Sequence, residues 1–218
     1  MPRPSTPLIS RRIAVQAALE LIDEEGYEHF SLERLARRLG VKSPSLYHHF
    51  ANRGDLLTAT AFHLLADIEI PGPVGDAKWH RWFVELGTQL HRQVMKHPRA
   101  AGLLFNYFPV ELTRDAHEAG MIILAEQGFP PGARWGVMRG LEKLIFGLAL
   151  ADASDLVEAR EHLPENRLRW PLLVEGIESC PDSPEELLAG AVESYLVGVT
   201  ARYGGQARVR RTRAAAGA

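Results

Sequence analysis

The 218-residue chain predicts an all-α protein, with a small N-terminal three-helix unit followed by a larger helical bundle. Three observations predict this. Apolar residues recur three and four positions apart through nearly every readable segment, the period of one helix face. Glycine or proline stands between most of these segments, where they close one helix and open the next. No stretch shows the apolar-polar alternation of a half-buried strand.

Residues 1–9, MPRPSTPLI, form a proline-rich arm expected to be mobile. Ser10 to Glu25 reads as a helix with Ile13, Ala17, Leu21 and Ile22 on one face, closed by Gly26. Ser31 caps a second helix in which Leu32, Leu35 and Leu39 share a face, with Glu33 in the first turn, where the dipole favours an acid. A full capping box is excluded, because the third residue after Ser31 is Arg34. Arg34, Arg37 and Arg38 fall on the other faces, available to water or phosphate. Gly40 stands where the helix stops in a left-handed conformation, and Val41 then turns into the core. Ser43-Pro44 reads as the next start, a serine cap followed by proline at the first helical position.

The third helix, Pro44 to Phe50, is too short to be stable alone. Leu46 and Phe50, four apart, face inward and hold it to its neighbours. Ser43, Pro44, Ser45, Tyr47, His48 and His49 are left for its other faces. Asn52 caps a connecting helix that continues to about Ile70 through Leu56, Leu57, Phe62, Leu65 and Ile68, with Asp55 three residues after the cap. Arg53 lies in that first turn, where its charge opposes the helix dipole. A cation placed there points to a task other than helix stability, such as a phosphate contact.

PGPVG at 71–75 breaks the chain. Trp79 to Lys96 carries Trp79, Trp82, Phe83, Leu86, Leu90 and Val94 along one stripe, and His97-Pro98 stops it. Arg99 to Phe108 is a short apolar piece, followed by a helix from Pro109 to Gln127 that ends at Gly128. Pro131 to about Asp152 and Pro184 to Tyr203 are the last long helices. Residues 153–183 hold two short helical patterns, Leu156–His162 and Leu168–Glu178, interrupted by prolines; connections of this length are often functional.

A helix, a glycine turn and a short second helix with a small, polar and aromatic outer face make the layout of a helix-turn-helix, whose second helix enters the DNA major groove. Residues 8 to 60 resemble the DNA-binding domain of the TetR family of bacterial transcriptional regulators. Gly26, Phe30, Leu35, Ala36, Gly40, Val41, Leu46, Tyr47, His49, Phe50, Arg53, Leu56 and Leu57 carry the likeness, in register. Two departures stand out. Lys42 and Ser43 flank the family's usual serine position, with Pro44 following. Arg53 replaces the usual lysine, which keeps the charge and alters the contact geometry.

The resemblance implies a DNA-binding domain at 1–54 (with its arm at 1–9), an effector-binding and dimerisation domain at 55–203, and a disordered basic tail at 204–218. It implies a homodimer on an inverted-repeat operator, a dimeric repressor released by a small-molecule effector. Tyr47 is expected to bond a phosphate through its hydroxyl. Ser43, Pro44 and Ser45 are expected to meet base edges or thymine methyls, and His48 a base or phosphate. His49 braces the helix or touches backbone, and Arg37, Lys42 and Arg53 contact phosphate. The long helices at 131–152 and 184–203 are the expected dimer elements. Gly136, Gly140, Gly147 and Ala151 allow close approach on the first; Leu187, Leu188, Ala191, Tyr195, Leu196 and Val199 form the stripe of the second. Trp82, His91, Asn106, Tyr107, His117, Met121, Trp135 and Trp170, bulky residues with polar tips, are the expected lining of an effector pocket for an apolar or aromatic molecule.

Composition bounds the alternatives. Hydrophobic content of 46% is ordinary for a globule and argues against wholesale disorder. No apolar run reaches membrane-spanning length, the N-terminus lacks a signal core, and the single Cys180 permits no internal disulfide. A cytoplasmic protein is expected. The net charge of −2 conceals segregation: residues 1–54 carry +2 and residues 202–218 carry +5, leaving −9 between them, and DNA responds to local field. The basic RVRRTR at 208–213 reads as a solvated tail.

Two other classes compete, a helical enzyme and a ligand-free architectural DNA protein. The enzyme lacks a signature: there is no nucleotide loop, no Gly-x-Ser-x-Gly, no His-Glu-x-x-His, no Glu-x-x-His and no cysteine pair. The clusters Asp115, His117, Glu118 and Glu158, Glu161, His162 read as solvated faces, so neither metal nor cofactor is expected.

Overall fold

The computed structural model describes residues 9–72, 75, 78–154, 169–180 and 183–204, and among these every regular element is helical. The arm at 1–8, the tail at 205–218 and Glu158, Glu161 and His162 lie outside the described residues. The chain divides into two compact units. One is Met1–Asp67 with Lys96–Thr113; the other is Ile68–Met95 with Arg114–Ala218.

In the first unit, α1 (Arg11–Glu25) starts where the Ser10 hydroxyl accepts the Ile13 N–H, and closes at Gly26, whose N–H donates to the Ile22 carbonyl. Its buried face is Ala14, Val15, Ala17, Ala18, Leu19, Leu21 and Ile22. Ile13, expected on that face, is exposed, while Ile9, expected in the arm, is buried. Periodicity locates a stripe only to within a neighbouring position; the helices packed against α1 decide its edges. Ser31 caps α2 (Leu32–Arg38) through the Arg34 N–H. Gly40 takes φ +66°, and the following Val41 N–H returns to the Ala36 carbonyl, satisfying a group the helix end leaves open.

α3 (Ser43–Leu46) is shorter than its pattern suggests. Lys42 occupies the cap position without a side-chain bond, and Ser43 is the first helical residue rather than the cap. Residues 47–49 continue as turns, with the His49 and Phe50 N–H groups both donating to the Leu46 carbonyl. Leu46 and Phe50 are buried as expected. α4 (Arg53–Leu64) is capped by Asn52, whose Oδ1 accepts the Asp55 N–H at 2.9 Å. A 3₁₀ turn at Pro98–Ala100 packs on α1, and α6 (Ala101–Tyr107) packs on α4.

The second unit comprises α5 (His80–Lys96) up to Met95, α7 (Val110–Glu126) from Arg114, α8 (Pro131–Ala153), α9 (Pro171–Ser179) and α10 (Pro184–Tyr203). Its core joins Trp82 and Phe83 of α5, Leu124 of α7, Phe129 of the turn that follows it, Val137, Met138, Leu141 and Ile145 of α8, and Leu188, Val192 and Leu196 of α10. α10 begins with a full capping box between Ser183 and Glu186. Gly140 permits close packing of α8 on α10: a Cβ there would overlap the Tyr195 hydroxyl, which instead donates to the Val137 carbonyl at 3.1 Å.

The connecting helix ends at Leu64 rather than near Ile70. Tertiary partners take the backbone groups beyond it. The Glu69 N–H donates to Gln89 Oε1 at 2.9 Å, and the Pro71 carbonyl accepts the Trp82 indole N–H at 2.7 Å. Among the described residues no helix is long and apolar enough to cross a membrane, and no group of three His, Cys, Asp or Glu side chains is placed to hold a metal.

Candidate nucleic-acid interface

The three arginines of α2 have the same charge and different fates. Arg34 pairs with Glu25 at 2.8 Å. Arg38 forks onto Glu24 at 2.5 and 2.7 Å and reaches Glu20 at 3.4 Å. That hydrogen-bonded guanidinium holds the Glu24 carboxyl below the usual carboxylate range, and the Glu24 carboxylate in turn raises the pKa of Arg38. Both arginines therefore bind α2 to the acidic end of α1. Arg37 is exposed, as is Lys42, and neither has an ion pair among the described residues. These two cations keep their charge available for an external anion.

On the recognition segment, Pro44, Tyr47 and His48 are exposed, and Ser43, Ser45 and His49 are half-buried. Tyr47 is 54% exposed, which places a large aromatic in water at the C-terminal cap of a four-residue helix. A core tyrosine would be covered, and exposed large apolar surface is the informative departure from packing. Arg53 is exposed but engaged. One guanidinium nitrogen lies 3.4 Å from the Tyr107 hydroxyl and another 3.5 Å from the Phe30 carbonyl, with the group over the Phe30 ring at 5.6 Å. Its headgroup is thus steered by an aromatic and a carbonyl rather than by the helix it opens.

The residues expected to line an effector pocket are divided between the two units. Asn106 and Tyr107 belong to the first unit, where the Asn106 side chain donates to the Gly102 carbonyl. The other six belong to the second unit. Trp82 is 2% exposed within the core. His91 is buried against Asp152 of α8, with Nε2 and Oδ2 2.9 Å apart. His117 and Trp135 are ring neighbours at 5.5 Å, and Arg139 stands over Trp135 at 5.9 Å while pairing with Glu142. Met121 is half-buried, and Trp135 and Trp170 are exposed. Only His117 and Trp135 form a local aromatic surface among these eight.

Sequence reasoning passed over Arg11. Its guanidinium reaches the His49 carbonyl at the end of the recognition segment and the Asp55 carboxylate at the start of α4. The partners are 38 and 44 residues away, so no local pattern signals them.

Comparison with known proteins agrees with this layout. Residues 14–60 match the family profile described as "Bacterial regulatory proteins, tetR family". The tetracycline repressor protein class D of Escherichia coli is 26% identical over 87% of this chain and 88% of its own length. The Streptomyces coelicolor protein ActR, solved in complex with actinorhodin, superposes with a TM-score of 0.72 at 22% identity, covering 91% of this chain and 98% of that one. The structure of BioQ with its double-stranded DNA operator superposes with a TM-score of 0.60 at 24% identity, covering 79% and 99%.

Proposed function

Since the chain belongs to the TetR family of bacterial transcriptional regulators, we propose that it is a homodimeric repressor that leaves an inverted-repeat operator when a small molecule binds. The observation that carries this is the exposed Pro44, Tyr47 and His48 face of a helix-turn-helix, with exposed Arg37 and Lys42 that have no ion pair among the described residues. Arg37, Lys42, Tyr47 and Arg53 contact phosphate and set register. Ser43, Pro44, Ser45 and His48 meet base edges, and His49 braces the segment. BioQ, a structural neighbour, is solved on its operator, which supports the DNA partner. The protein works in the cytoplasm, where such DNA lies. Selection from a random-sequence duplex pool tests the reading: an enriched inverted repeat supports it, and salt-sensitive binding without a motif refutes it.

The Arg53 contact has its own signature. Arg53→Ala is expected to weaken all duplexes similarly and to flatten the salt dependence by about one unit of slope per subunit. Electrophoretic or anisotropy titrations across a salt series measure both. A loss confined to one base position assigns Arg53 to sequence reading instead.

Dimerisation runs through α8 and α10. Gly136 and Gly147 of α8 and Gly190 and Gly198 of α10 face open space in the single chain. With Ser194 and Tyr195, Gly136 and Gly198 border a shallow groove of about 500 Å³. Val197, 71% exposed, stands on the same helix. A second copy covers this small-residue face, forming a four-helix bundle and presenting two recognition segments about 34–36 Å apart, one turn of DNA or a multiple. Sedimentation of the wild type at twice the chain mass is expected. Val197→Arg, which costs the monomer little at so exposed a position, is expected to shift it to monomer. A wild-type monomer overturns the assignment.

The effector is a small apolar or aromatic molecule held by the second unit, where the His117 and Trp135 rings are neighbours. ActR, with the same fold, is solved with actinorhodin, which supports this class. Binding favours a form in which the two recognition segments no longer match the groove spacing. A hundredfold loss of operator affinity needs only about 2.7 kcal/mol of differential binding.

A further inference from the structure

α3 has four helical residues, and a helix so short cannot hold its own geometry. The structure shows what holds the end of the segment. Arg11 Nη1 donates to the His49 carbonyl at 2.6 Å. Nη2 donates to Asp55 Oδ1 at 2.8 Å, and Nη1 also approaches Oδ2 at 3.4 Å. Asp55 Oδ2 in turn accepts the Ala51 N–H at 2.9 Å. The same guanidinium covers the Phe50 ring at 4.5 Å from its centroid. Three consecutive residues are therefore gripped by one ion pair: 49 by its carbonyl, 50 by its ring and 51 by its amide.

We propose that Arg11 is a positioning residue for DNA reading, a clamp that fixes the end of the recognition segment to the N-terminus of α4 through His49, Phe50 and Asp55. This inference rests on the assignment of residues 43–49 to DNA recognition. The planar fork matters. Two donors at fixed separation serve a carbonyl and a carboxylate together while the flat face covers a ring, which a lysine ammonium cannot do. The Asp55 carboxyl is held below the usual aspartate range, first by Arg11 and then by the Ala51 N–H, so it is charged at neutral pH. The Arg11 and Asp55 side chains are 50% and 33% exposed, and an ion pair so accessible to water adds little to global stability. Its effect is on geometry: a reading element displaced relative to α4 loses base contacts before the fold is lost. Arg11 shares its charge with Asp55, which separates it from Arg37 and Lys42.

The test uses the full chain and two probes, the duplex most enriched by the wild type from the random pool and a scrambled duplex of equal composition. Arg11→Ala and Asp55→Asn are each expected to weaken the selected duplex about tenfold, leaving the scrambled duplex and the salt slope nearly unchanged. The double variant is expected to be no worse than either single, as for groups acting as one unit, and Arg11→Lys is not expected to restore affinity. Without DNA, hydrogen exchange at the Ala51 amide is expected to quicken in both single variants. A salt slope lower by about one unit per subunit in Arg11→Ala overturns the proposal, because Arg11 then touches phosphate itself. Additive losses overturn it, as do equal losses on both duplexes with a fallen Tm, or unchanged Ala51 exchange. If the wild type enriches no duplex, the DNA assignment fails, and the exchange measurement still decides the clamp.

Discussion

Tyr47→Ala is expected to reduce affinity for the selected operator by at least about a hundredfold, with helicity and dimer mass unchanged. Tyr47 is 54% exposed and its side chain has no hydrogen-bond partner in the described protein, so its removal leaves no cavity and strands no buried group. What it removes is a phenol aimed outward from the recognition segment. A hydrogen bond to a charged phosphate is worth about 1.5–3 kcal/mol. In the proposed homodimer the bond is made twice, so about 3–6 kcal/mol is at stake, which exceeds the hundredfold threshold of about 2.7 kcal/mol. Tyr47→Phe isolates the hydroxyl: it keeps the ring and is expected to lose most of the same affinity. Anisotropy titration against the selected duplex, with circular dichroism as the folding control, checks both. Unchanged affinity in Tyr47→Ala shows that the ring is ornamental to binding and removes Tyr47 from the interface.

Trp82→Ala is expected to destabilise the second unit by about 3–5 kcal/mol. This follows from burial at 2% exposure and from edge contact with Phe83, at 5.0 Å between ring centroids. The indole N–H also ties the backbone at Pro71 to α5, and its loss leaves that carbonyl without the partner. Trp82→Phe retains much of the volume and removes the N–H, and is expected to cost less than the alanine variant. Urea unfolding at matched protein concentration measures the difference, since the stability of a dimer depends on concentration. A variant of wild-type stability with a lost effector response assigns Trp82 to the ligand instead of the core.

The same residues show where sequence reasoning reached and where it stopped. Caps and terminators are local, and Ser10, Ser31, Asn52, Gly26 and Gly40 all act where their neighbours indicate. α10 runs from Pro184 to Tyr203, the span its apolar spacing predicts. The recognition segment was less accurately readable. Its serine and proline suggest a cap at Ser43, yet the helix has already begun there, and it ends at Leu46, beyond which Arg11 and Asp55 take the His49 carbonyl and the Ala51 N–H. The effector candidates share bulky side chains with polar tips, a property of buried and exposed residues alike. Trp82 and Trp135 meet that description equally and end at 2% and 55% exposure.

By itself the sequence determined the all-helical class, the helix-turn-helix at its N-terminus and the family that the motif belongs to. Those properties reside in spacings of three and four residues and in the backbone preferences of glycine, proline and the capping side chains, which act over a single turn. Only the tertiary structure decided which cations remain available, with Arg34 and Arg38 committed to α1 and Arg37 without an ion pair among the described residues. It also decided that residues 96–113 join the first 67, and that Arg11 grips a segment 38 residues away. The physical reason is range. A helix face is specified by its own neighbours, whereas an ion pair or a packed ring depends on a partner whose distance in space is independent of its distance along the chain.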